Sequence, residues 1–247
     1  MAVGRPLVLL HDVRLEYPRP HEGLKKAVSR MLRGPASRGS AGGILALDGL
    51  TLSIESGDRV GLIGRNGAGK STLLRLLGGI YHPTSGIRRA SCEVRCLNEL
   101  SLGFEPDASG RENAAFRALL LGATRSQVPE IVADAIAFAE LGSFIDEPIR
   151  CYSAGMLVRL AFAVTTAFPG ELLLLDEVVG AGDAHFTGKA KARMMALAEK
   201  ASAFVLATHD VAMIRSFCNR ALLLEHGRLV FDGSVEQAVD RYMGGSA

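Results

Sequence analysis

No apolar stretch in these 247 residues approaches the roughly 20 consecutive positions a membrane-spanning helix needs. The run "LAFAVTTAF", Leu160 to Phe168, is far too short. The N-terminus "MAVGRPLVLLHDVRLEY" lacks a basic stretch followed by a small-residue cleavage site, so no secretion signal is expected. Net charge is almost absent: 28 basic against 26 acidic residues leave +2, too little to argue for a nucleic-acid partner. Cysteine is scarce, and Cys92, Cys96, Cys151 and Cys218 show no zinc spacing. Cys92 and Cys96 are read as buried thiols in a strand region, not as ligands or a disulfide. No internal repeat is present. The cytoplasm is the default expectation. What remains is a chain of ordinary globular balance, 48% hydrophobic and 22% charged. That suits one large domain or a core with a small inserted subdomain.

Residues 7–17 and 45–63 read as β-strands, with turns at Asp48-Gly49 and Ser56-Gly57-Asp58. Between them lies the insert "PRPHEGLKKAVSRMLRGPASRGSAGG", residues 18–43. It places Leu24, Val28, Met31 and Leu32 at helical spacing among Lys25, Lys26, Arg30 and Arg33, and its Gly/Ser-rich end reads as a flexible return. Residues 111–141 read as helices. "LLLLD" (Leu172–Asp176) and "AFVLAT" (Ala203–Thr208) read as apolar strands of a parallel sheet covered on both faces. "ALLLEHGRLVFDG" reads as a hairpin turning at His226-Gly227, followed by a closing helix. Strands alternating with helices give an α/β fold with a helical insert.

The stretch "GRNGAGKST" carries the first chemistry. Gly64, Arg65, Asn66, Gly67, Ala68, Gly69, Lys70, Ser71 and Thr72 follow the apolar strand "RVGLI" and open a helix, the context a phosphate-binding loop requires. Its glycines let backbone N–H groups converge on phosphate oxygens, and the helix aims its positive end at the same anion. Lys70 supplies a charge for the β- and γ-phosphates of a nucleotide, and the Ser71 hydroxyl an oxygen for Mg2+. Asp176 emerges at the carboxyl end of "ELLLLD" and is read as holding the magnesium. Glu177, next along, is placed to polarise an attacking water as general base. His209, at the tip of "AFVLATHD", can contact the γ-phosphate. A phosphate loop alone also fits GTPases, kinases and helicases. The discriminating stretch is "CYSAGMLVRLAFA", where Ser153 and Gly155 can begin a helix whose N-terminal amides meet an anion.

In order and spacing, "GRNGAGKST", "YSAGM", "LLLLDE", "GAGD" and "ATHD" resemble the Walker A, signature, Walker B, D-loop and switch-histidine motifs of the ATP-binding subunit of ABC transporters. The resemblance covers nearly the whole chain. It implies a P-loop NTPase fold of ABC type: an α/β nucleotide-binding domain with an antiparallel β subdomain and an inserted helical subdomain. The core would span about 1–98 and 169–247, and the helical subdomain about 99–168. ATP and Mg2+ are the implied ligands. Tyr17 would stack on adenine. Ser153, Ala154 and Gly155 would hold the γ-phosphate bound by a second copy, and Asp183 would link the two sites of that homodimer.

Two departures narrow the likeness. The family's signature usually reads Leu-Ser-Gly-Gly-Gln, whereas here Ala154 adds a methyl beside the phosphate position. No glutamine stands at the Q-loop; Glu99 lies near that place, as a magnesium or water contact or as a plain surface carboxylate. These departures, the basic insert, the block "LNELSLGFEPDASGREN" and "DEVVGAGDAHF" resemble the ATPases of polysaccharide exporters, which move O-antigen, capsule or teichoic-acid chains. The implied partners are an integral-membrane permease and a glycan cargo, free or lipid-linked, at the cytoplasmic face of the cytoplasmic membrane. An exporter of lipid or drug is the alternative. Some relatives of this kind carry a C-terminal carbohydrate-binding domain, and none is expected here, since the sequence ends at Ala247 soon after the closing helix. The insert suits either contact with lipid or glycan phosphates or a solvated amphipathic helix packed on the domain.

Overall fold

The computed structural model describes residues 5–18, 43–97, 103–168, 170–176 and 184–244. Two sheets organise it. Strands β1 (Val8–Tyr17), β2 (Ile44–Ile54) and β4 (Ser85–Ala90) form an antiparallel sheet in the order β2-β1-β4. Strands β3 (Arg59–Ile63), β5 (Val94–Cys96), β6 (Leu172–Leu175), β7 (Ala203–Ala207), β8 (Arg220–Glu225) and β9 (Arg228–Gly233) form a second, in the order β5-β6-β7-β3-β8-β9. All its neighbours are parallel except β8 and β9, which make a hairpin.

The central strands need no amphipathic alternation because both faces are covered. Every residue of β6 and β7 is buried. The period of two still operates: Leu172 and Leu174 enter the core shared with β1, β2 and the helix α1 (Lys70–Leu77). Leu173 and Leu175 enter the other core, with Phe162, Phe186 and Phe204. Each such leucine contributes roughly 1.5–3 kcal/mol by leaving water. That second core is built on α2 (Gly110–Leu120), α3 (Val128–Ala139), α4 (Ala154–Thr165) and α5 (Ala184–Lys200). Helices α6 (Val211–Phe217) and α7 (Val235–Gly244) cover one face of the sheet at β3 and β8.

One expected turn is absent. Strand β2 runs straight through Asp48 and Gly49. Gly49 (φ 66) and Asp12 (φ 45) instead mark a register shift in the β1–β2 ladder, where the Thr51 hydroxyl accepts the Asp12 N–H at 3.0 Å. An Asp-Gly pair satisfies a bulge as well as a turn, and the long ladder decides for the bulge. Cys92 and Cys96 are free and only half-buried. Among the described residues no helix is long and apolar enough to cross a membrane.

Candidate nucleotide-binding site

The order β6-β7-β3 brings three carboxyl ends to one edge of the sheet. Leu175 lies beside Leu206 and Leu62 beside Ala207, so Asp176, Thr208 and the Gly64 loop leave adjacent strands in the same direction. Open α/β sheets bind ligands at such an edge. A cavity of about 610 Å³ lies there, lined by Asn66, Gly67, Gly69, Lys70, Ser71, Thr72 and Asp176 from the parallel sheet and α1. Its other wall is Tyr17, Ile44, Leu45 and Ala46 from the antiparallel sheet.

The loop is set up for an anion. Gly69 holds φ 107 as the residue before α1, and no side chain caps the helix start. The first-turn N–H groups of α1 therefore point their partial charge outward uncapped. The Lys70 ammonium donates to the Gly64 carbonyl at 2.6 Å and the Arg65 carbonyl at 3.1 Å. That fixes the cation in the loop with two of its three N–H groups. Burial holds the Lys70 pKa below the ordinary 10.5, against the opposing pull of Asp176. Ala68 is buried beneath the loop, while Arg65 and Asn66 are exposed. The Tyr17 hydroxyl hydrogen-bonds Thr72 Oγ1 at 3.0 Å, and its ring meets Tyr81 edge-on, centroids 5.7 Å apart. Burial raises the Tyr17 pKa above 10.0.

The signature residues stand apart from this cavity. Ser153 caps α4, its Oγ accepting the Met156 N–H at 3.2 Å. Ser153 and Ala154 are exposed and Gly155 half-buried, and none of the three lines the cavity. His209 is exposed beyond β7, also outside the lining. Its neighbour Asp210 accepts the Ala212 and Met213 N–H groups and starts α6. Glu99, Glu177 and Asp183, like the basic residues of the insert, lie outside the described residues. Ser71 and Asp176 offer hard oxygens beside the phosphate loop and so fit Mg2+. Among the described residues no group of three or more His, Cys, Asp or Glu side chains could hold a metal ion.

Five lining residues were not expected from sequence: Ile44, Leu45, Ala46, His226 and Gly227. The turn at His226-Gly227 was legible. Its position over the phosphate loop follows from the pairing of β8 with β3, which no local pattern reports.

A family model described as ABC transporter matches residues 47–180. The chain is 42% identical to the O-antigen export system ATP-binding protein RfbE of Yersinia enterocolitica, over 93% of this chain and 98% of that one. It is 35% identical to the corresponding protein RfbB of Klebsiella pneumoniae, over 96% and 97%. It is 43% identical to RfbB of Myxococcus xanthus over 88% of this chain, spanning only half, 50%, of that longer protein. Among solved structures, an ATP-binding subunit of an ABC transporter superposes with TM-score 0.71 at 18% identity, covering 96% of this chain and 93% of that one. A dimeric ATP-binding cassette bound to ADP and Pi gives 0.68 at 20%, covering 92% and 98%. The cavity at the strand ends, the uncapped loop and these relatives lead to one conclusion: the chain belongs to the ABC transporter family.

Proposed function

We propose that the chain is the ATP-hydrolysing subunit of a transporter that exports a polysaccharide or lipid-linked glycan across the cytoplasmic membrane, working as a homodimer on a membrane permease. The observation that carries the reading is the separation of Ser153 from the cavity of its own chain. Ser153 starts a helix whose first residue, Ala154, is exposed and whose second, Gly155, is half-buried, a start that can seat an anion. A second copy, placed head to tail, brings that seat to the phosphate loop it lacks. The cargo is inferred from relatives aligned over nearly their full length that are named for O-antigen export.

In this reading Tyr17 supports the base, the loop amides and Lys70 hold the phosphates, and Ser71 and Asp176 hold Mg2+, which neutralises phosphate charge. Glu177 directly follows Asp176 and would polarise the water; His209 would meet the γ-phosphate, Asp183 would join the two sites, and Glu99 would touch the water or the ion. Because ATP touches both copies only when they close, its binding energy favours the closed pair, and loss of phosphate releases it.

The experiment is Glu177→Gln. It is expected to keep ATP affinity and to elute as a stable dimer with ATP, while Lys70→Ala loses binding. A Glu177→Gln protein that turns over ATP at the wild-type rate removes the base assignment; one that stays monomeric with ATP at high concentration removes the shared site. Reconstituted with its permease, the wild type should hydrolyse ATP faster when a lipid-linked glycan is supplied. Stimulation by lipid or drug alone would reassign the cargo.

A further inference from the structure

Two turns distant in sequence are zipped together beside α4. The Ile149 N–H donates to the Ala108 carbonyl at 3.0 Å, Arg150 N–H to Pro106 at 3.1 Å, and Gly110 N–H to Glu147 at 3.2 Å. Ser109 and Pro148 form an isolated bridge. Ion pairs fasten the outside: Asp107 with Arg150, and Arg111 with Asp146 at 2.8 Å. Asn113, fully buried, fastens the inside. Its amide donates to the carbonyls of Glu105, Ala108 and Ser109 at 3.0, 3.1 and 3.0 Å and accepts the Glu105 N–H at 2.7 Å.

Tyr152 ends the second turn and directly precedes Ser153. The residue is 8% exposed, and its hydroxyl donates to the Phe144 carbonyl at 2.6 Å. It lies so close to Gly110 that a Cβ at that position would overlap the hydroxyl. Gly110 opens α2 and Ser153 caps α4, so one phenol spans the starts of two helices. Leucine, usual before the signature serine, has neither the length to reach the Phe144 carbonyl nor a donor to offer it. Gly110 and Tyr152 are a matched pair.

We infer that Tyr152 is a positioning residue for the signature serine: seated on Gly110 and tied to Phe144, it sets the direction of Ser153 and the first amides of α4, and it passes to them any displacement of the Glu105–Gly110 turn. Only one residue separates the anchored ring from the helix it aims, so the intervening backbone has little freedom to absorb a shift. The inference rests on the shared-site reading above.

The test compares full-length wild type, Ser153→Ala, Tyr152→Phe, Gly110→Ala and the Gly110→Ala/Tyr152→Leu double variant. ATPase kcat, ATP Kd at concentrations where the chain is monomeric, and Tm are measured for each. Tyr152→Phe is expected to lower kcat about fivefold, the weight of one net hydrogen bond, with Kd unchanged and Tm within a few degrees of wild type. Gly110→Ala should lower kcat further, and Tyr152→Leu should recover part of that loss by vacating the overlapped space. A purely structural role would move Tm and Kd along with kcat, or leave kcat per folded molecule intact, and either result overturns the inference. Should Ser153→Ala hydrolyse ATP like wild type, the shared site falls and the inference falls with it. Should Ser153→Ala be impaired and Tyr152→Phe not, only the positioning role is lost.

Discussion

The Gly227 N–H donates to the Ala68 carbonyl at 2.9 Å, and the Gly227 carbonyl accepts the Asp48 N–H at the same distance. One residue at a hairpin tip thus holds the phosphate loop on one side and the antiparallel sheet on the other. Arg228 reinforces the joint by pairing with Asp48 at 2.5 Å.

Gly227→Ala should therefore loosen the site. The residue sits at φ 78, and an added Cβ would stand 2.5 Å from the Ala46 carbonyl oxygen. Strain of about 1–3 kcal/mol is expected, read as a lower Tm together with weaker nucleotide binding. Gly122→Ala is the comparison: φ is 94 there, but a Cβ meets open space. It should lower Tm less and leave nucleotide affinity unchanged in an equilibrium titration.

Lys70 gives a pH dependence of defined sign. Its folded pKa lies below 10.5 because of burial, and a triphosphate bound beside it would raise it by favouring the ammonium. ATP affinity should be full below the free-protein pKa and fall as pH rises through it, so the fall begins below 10.5. Binding should take up protons in that window, which calorimetry in two buffers of different ionisation enthalpy, repeated at rising alkaline pH, would detect. In the nucleotide-free protein the same shift makes the charged lysine unfavourable, so its cost to stability is present below the folded pKa and disappears above 10.5.

A Tyr17 variant tests base binding apart from phosphate binding. Tyr17→Ala should weaken ATP binding by about tenfold, the scale of one base–aromatic stack, and leave tripolyphosphate affinity unchanged. Tyr17→Phe keeps the ring and loses the hydrogen bond to Thr72; its ATP affinity should stay within about threefold of wild type.

Asn113→Ala should cost about 1–3 kcal/mol, because the part-buried Glu105 N–H loses its acceptor and the carbonyls of Glu105, Ala108 and Ser109 are left with only their backbone donors. The midpoint of urea unfolding measures it. Asn113→Asp should be worse than neutral replacement of shape suggests, since a carboxylate cannot donate to the carbonyls of Glu105, Ala108 and Ser109.

Much of the architecture was legible because its signals are local. The apolar strands ending at Asp176 and Thr208, the glycine-rich loop and the hairpin at His226-Gly227 each announce themselves within ten residues. Helices within 111–141 were read, and the structure resolves them as α2 and α3 with a break at Gly122. Strand β4 escaped notice because "SGIRRA" is almost wholly exposed and is held by its ladder with β1 rather than by an apolar face. The misread turn at Asp48-Gly49 has the same origin, since pairing over eleven residues outweighs a dipeptide's preference. At the site, the phosphate loop was read from its spacing together with the strand before it and the helix after it, and several of its residues line the cavity. Ile44, Leu45 and Ala46 were not, because an apolar strand end says nothing about what it faces.

The cavity lies at a seam, with Tyr17 and Ile44 on one sheet and Lys70 and Asp176 at the edge of the other. Any molecule long enough to reach from Tyr17 to Asp176 must rest on both, and so acts as a splint across the joint. Amide hydrogen exchange should then slow in β1 and β2 as well as in α1, giving a ligand held at one edge a footprint over the whole antiparallel layer.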